Sequence, residues 1–126
     1  MRMKKVKLSL VVGALLLLPI DQSSAHSFLT SSNPPAGSTL VALPTKVVLT
    51  FNENLLVVNN QNPNTLSISR SNGAILKTSA AVVVKNTLAV SLQPSKVNFG
   101  RFKVTYRAVS ADGHPITGSF FFTVKK

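Results

Sequence analysis

From Arg101 to Ala108 the side chains alternate without a break, with Phe102, Val104, Tyr106 and Ala108 on one side and Arg101, Lys103, Thr105 and Arg107 on the other. A period of two fits an extended strand with one face in a core and one toward water. From Ser27 onward no segment carries a convincing 3.6-residue apolar repeat, so the domain reads as all-β. Further β-rich runs cover residues 28–31, 46–51, 65–70, 75–84 with a break, 87–92 and 119–124. Turn residues separate them: Asn33-Pro34-Pro35-Ala36-Gly37, Leu43-Pro44, Asn72-Gly73 and Lys85-Asn86. Seven short strands in one domain fit a two-sheet sandwich or a small Greek-key barrel, with Phe51, Leu66, Ile68, Leu88, Val90, Val104, Tyr106, Phe120 and Phe122 in its core. The polar stretch 59–64 reads as a solvated surface connection.

The first 25 residues have a different composition. Arg2, Lys4, Lys5 and Lys7 precede an apolar run over residues 8–20, and small residues lead up to Ala25. That is the pattern of a secretory signal, and the run is shorter than the ~20 residues needed to span a bilayer. The expected organisation is therefore a signal peptide at 1–25 and one domain at 26–126, exported and, once processed, not embedded in a membrane. Cleavage after Ala25 gives His26 a free α-amine beside its imidazole, so one residue can chelate a metal through two nitrogens; an incidental first residue of a frayed terminus accounts for His26 equally well.

The whole chain has fourteen Lys and Arg against three Asp and Glu. Four of the bases and Asp21 lie in the first 25 residues, leaving ten bases against Glu53 and Asp112, about +8. Those ten occur on several strands without an Arg-rich helix or interleaved aromatics, so they read as a solvated basic surface and not a nucleic-acid site. The lack of cysteine removes disulfides, thiolate catalysis and iron-sulfur ligation together.

Few chemistries remain. The domain has two histidines, His26 and His114, and no hydrolase, phosphate-loop or zinc-protease motif. Ser110 lies near His114, but a nucleophilic role requires a fixed Ser–His contact and an oxyanion hole that nothing in the sequence indicates. In Asp112-Gly113-His114, side chains two apart in an extended segment point to one side, where a carboxylate and an imidazole can converge on an ion. An Asp-Gly turn before Pro115 accounts for the same tripeptide without any metal. Glu53, at the end of a strand, reads equally as a solvated charge.

Together these pieces resemble the CopC family of exported copper-binding, copper-resistance proteins. The resemblance is carried by His26-Ser27-Phe28-Leu29, by residues 32–37, by residues 46–53 and above all by residues 106–119, Tyr-Arg-Ala-Val-Ser-Ala-Asp-Gly-His-Pro-Ile-Thr-Gly-Ser. It implies a Greek-key sandwich, immunoglobulin-like or cupredoxin-like, in the periplasm. It also implies a Cu(II) site made by the amine and imidazole of His26 with Asp112 and His114, and Glu53 beside the metal as an outer or weak ligand. An inner-membrane copper transporter of the CopD type would be a partner. The family's Met-rich Cu(I) site has no counterpart, because Met1 and Met3 are the only methionines. Tyr106 stands where many relatives carry Trp. The implied function is a non-enzymatic Cu(II) carrier or buffer in copper homeostasis or resistance. Two other readings stay open: a histidine-brace copper redox enzyme, and a basic sandwich that binds anionic surfaces.

Overall fold

The computed structural model describes residues 26–126, and the expected signal segment lies outside them. Those residues form eight strands and no helix. The strands are β1 (Leu29–Asn33), β2 (Thr39–Leu40), β3 (Lys46–Phe51), β4 (Thr65–Arg70), β5 (Val82–Val84), β6 (Thr87–Ser91), β7 (Gly100–Val109) and β8 (Pro115–Val124). They build two four-stranded sheets, ordered β1-β3-β6-β5 and β2-β8-β7-β4. All pairings are antiparallel except that of β2 with β8.

The alternation legible in the sequence sets which side of each sheet faces the other. Val47, Leu49 and Phe51 of β3 meet Leu66 and Ile68 of β4, Leu88 and Val90 of β6, Phe102, Val104 and Ala108 of β7, and Phe120, Phe122 and Val124 of β8 in one buried cluster. Removing each such Phe or Leu from water contributes about 1.5–3 kcal/mol, which is what holds the sheets face to face. Tyr106 is half-buried at the edge of this core, packed edge-on against Phe51 with ring centroids 5.8 Å apart. Burial pushes its phenol pKa up.

Each of the seven expected strands is present, and the pairings adjust their limits. β8 starts at Pro115, four residues ahead of expectation, because its ladder with β7 runs unbroken through Gly118. The expected strand at 75–84 shrinks to β5. Its first half crosses between the sheets, the Leu76 N–H bonding Ile68 O in one and the Ser79 N–H bonding Ser91 O in the other. β2 is an addition, two residues held parallel to Thr123 and Val124.

Candidate metal centre

Strand direction decides which loops share an end of the sandwich. β3 and β7 finish at the same end, and the turn between β7 and β8 spans Ser110 to His114 there. The chain leaving β3 runs against this turn: the Ala111 N–H bonds Asn54 O at 3.0 Å, and Leu56 N–H bonds Val109 O at 2.8 Å. β1 begins at this end too, since Leu29 pairs with Phe51.

Within the turn, Gly113 adopts a φ of +90° and its N–H bonds Ser110 O at 2.8 Å, a left-handed step that glycine takes without steric cost. The step reverses the chain and brings His114 back over Asp112. His114 Nδ1 lies 3.0 Å from Asp112 Oδ2, and the His114 N–H donates to Asp112 Oδ1 at 3.2 Å. The Ser110 hydroxyl, fully buried, donates to Asp112 Oδ1. These donors, Ser110 first and then His114, lower the Asp112 carboxyl from 3.8 to about 2, so it is an anion throughout the physiological range. His114 is 75% exposed in its side chain and Asp112 40%. With Nδ1 turned to the carboxylate, Nε2 of His114 is the nitrogen left for an incoming ion.

His26 and Glu53 lie on the neighbouring segments. Asn52 acts as a clamp on the residues before β1: its Oδ1 accepts from the Phe28 N–H at 2.7 Å, its Nδ2 donates to His26 O at 3.5 Å, and its own N–H bonds Phe28 O at 3.1 Å. The Ser27 hydroxyl donates to Glu53 Oε2 at 2.8 Å, which fixes the carboxylate beside the residue that follows His26. Asp112 and His114 are thus in direct contact. His26 and Glu53 are carried to the same end of the fold by Asn52 and Ser27. Among the described residues, no three His, Cys, Asp or Glu side chains are drawn together closely enough to hold an ion as they stand.

Some contributors to this end were not legible in the sequence. Ser110 gives no sign that it is buried under Asp112; its hydroxyl serves the carboxylate and the backbone oxygen of His114, not the imidazole a nucleophilic serine needs. Asn64, in the polar stretch read as solvated, is buried: it accepts from the Val109 N–H at 2.7 Å and donates to Leu56 O at 2.8 Å, joining the connection after β3 to β7 one residue before the turn. Only the neighbours of an Asn in space distinguish such a tie from an ordinary loop residue.

A two-sheet Greek-key sandwich that gathers both its histidines and both its side-chain carboxylates at one end defines a class of small, helix-free binding domain. Residues 29–125 match the family described as the CopC domain, and the chain belongs to that family. It is 34% identical over 123 residues to copper resistance protein C of Escherichia coli, an alignment covering 93% of this chain and 95% of that protein. Copper resistance protein C of Pseudomonas syringae pv. tomato is 35% identical over 118 residues, 82% of this chain and 83% of that one. Copper transport protein CutJ of Bacillus subtilis is 29% identical over 89% of this chain, which spans 20% of that longer protein. Among solved structures, CopC from Methylosinus trichosporium OB3b superposes with a TM-score of 0.65 at 27% identity, over 79% of this chain and 94% of that one. PcoC from Escherichia coli, described as a methionine rich copper resistance protein, gives 0.65 at 32% identity over 80% and 100%.

Proposed function

We propose that the chain is an exported Cu(II)-binding protein, a periplasmic carrier or buffer in copper homeostasis or resistance, and not an enzyme. The observation that carries this reading is the meeting of three distant segments, residues 26–28, 52–55 and 110–114, at one end of the sandwich, with Asp112 and His114 already paired. The copper names of the relatives support it.

The donor chemistry fits this cargo. Two imidazoles, an α-amine and a carboxylate form the nitrogen-rich tetragonal set that Cu(II) prefers, and the Irving-Williams order puts Cu(II) above Zn(II) for such ligands. An ionised Asp112 together with Glu53 would balance the dication. Cu(I) would find no thioether, since the domain has no methionine. In this reading Asp112 and His114 form the prepared half of the centre, and His26 completes it by moving onto them from its exposed position. Ser27 and Asn52 keep that residue within reach, and Glu53 stands as an outer or weak ligand. A transporter of the CopD type is the proposed recipient. With Asp112 in the coordination set, a position that dioxygen would need is filled, which favours carriage over redox catalysis.

Isothermal titration with Cu(II) tests the assignment on protein beginning at His26 and on a version with one alanine ahead of it. The extension removes the amine from His26 and should weaken binding by at least about tenfold, the scale on which even outer-shell changes act. Equal affinity would rule out the amine as a ligand.

A further inference from the structure

The ten bases of residues 26–126 look scattered along the chain, but strand direction collects most of them at the end opposite the Ser110–His114 turn. β3 and β7 begin at that end, and β4, β6 and β8 finish there. Lys46 opens β3. Arg101 and Lys103 open β7 and flank the buried Phe102, so they project from the outer face of their sheet. Arg70, closing β4, borders two adjoining hollows, one shared with Arg101, Lys103 and Phe121 and the other with Lys77 and Lys96. Lys125 and Lys126 follow β8; the Lys125 N–H bonds Leu40 O, and the Lys126 ammonium sits 5.2 Å from the Phe99 ring. Glu53 and Asp112, the two carboxylate side chains of the described residues, are both at the far end. The described residues therefore carry a charge dipole, with eight bases toward one pole and both carboxylate side chains toward the other.

Large apolar side chains stand exposed around the same pole. Val41, just past β2, is 91% exposed, and Ile75, beyond the β4 turn, is 70% exposed. Phe99, just ahead of β7, is 42% exposed. The Arg101 guanidinium lies 3.8 Å over the centre of the Phe121 ring, a cation–π contact on the same face.

We propose that this basic pole is a docking surface for an anionic phospholipid bilayer, on which the domain sits peripherally with the Asp112–His114 end turned away. Charge complementarity carries the inference: the cations are divided between two adjoining hollows and the strand ends at Lys46, Lys125 and Lys126, a spread over several elements that matches the dispersed headgroup charge of a bilayer. The apolar side chains decide for lipid over an acidic protein face. Val41, Ile75 and Phe99 stand exposed among the bases, where a bilayer interface accepts apolar groups. Attraction of this kind is screened over about 10 Å at 0.1 M salt, so docking is reversible and salt-dependent.

Co-sedimentation tests this with protein beginning at His26, all of whose strands lie within the described residues. Vesicles of phosphatidylcholine alone are compared with vesicles containing phosphatidylglycerol, at low and high salt. Binding is expected only with phosphatidylglycerol and only at low salt. Arg101→Glu with Lys103→Glu should lower the partition coefficient by about tenfold or more, as should Lys125→Glu with Lys126→Glu, which lies outside every strand. Lys85→Glu with Arg107→Glu makes the same change in net charge away from the pole and should leave partition within about twofold. Equal binding to both vesicles, or a remote pair that costs as much as the polar ones, would overturn the proposal. So would an unchanged partition in Val41→Ser with Ile75→Ser combined with equally tight binding to soluble polyglutamate, the behaviour of an acidic-protein site.

Discussion

Asp112 shows how much local hydrogen bonding can change one residue. Its carboxyl is lowered to about 2, chiefly by the buried Ser110 hydroxyl and then by His114. A folded-state value below the ordinary 3.8 means the interaction supports folding above about pH 4 and is lost as pH falls through about 2. In metal-free protein, the gap in urea midpoint between the parent and Asp112→Asn should be open at pH 6 and close toward pH 2. Ser110→Ala should raise the Asp112 titration midpoint toward 3.8, followed by the NMR shift of its side-chain carboxyl carbon; an unmoved midpoint would show that the hydroxyl is not what holds the anion. The Asp-Gly-His spacing was legible as a turn that can bring a carboxylate and an imidazole together, and the structure pairs them. Ser110 was not legible as their support, because burial under a carboxylate leaves no trace in a short polar run.

At the scale of elements, pairing geometry separates what could be read from what could not. The limits of β3 and β4 coincide with the alternating runs at 46–51 and 65–70, where one face is buried and the other is not. Local pattern suffices there. It fails at β2, whose parallel partner lies more than eighty residues further on, and at residues 75–81, which are rich in strand formers but cross between sheets. It also fails at the start of β8, where Gly118 looks like a break and is instead a recess. Gly118 pairs with Tyr106, and a Cβ there would run into the Tyr106 phenol oxygen and ring. Gly118→Ala should therefore cost about 1–3 kcal/mol by overpacking, seen as a lower thermal midpoint. Combining it with Tyr106→Leu should recover part of the loss, because the two positions share one space. An unaltered midpoint in the single variant would mean the ring does not occupy that recess.

For the molecule as a whole, the fold class and the core were readable and the distribution of charge was not. Bases far apart along the chain looked independent; antiparallel strand order places eight of the ten toward one pole and both carboxylate side chains toward the other. At the opposite pole, the proposed Cu(II) ligands come from the lead-in to β1 and from the last hairpin, so binding should stabilise the fold by mass action. At free Cu(II) about 100-fold above Kd the gain is about 2.7 kcal/mol, visible as a raised thermal midpoint that a chelator abolishes. Protein with an alanine ahead of His26 should gain less at the same copper concentration, and an identical gain in the two would count against ligation by the terminal amine.

The two halves of the proposed centre differ in stiffness. Asp112 and His114 cap a hairpin whose strands are each ten residues long, whereas His26 stands three residues ahead of β1, its segment held by side-chain bonds of Asn52 and Ser27. Such a centre works like a hinged clasp with one fixed jaw. Copper transfer would start by lifting the terminal residue, leaving the ion on the hairpin with open positions for the next carrier, while the sandwich beneath stays as it was.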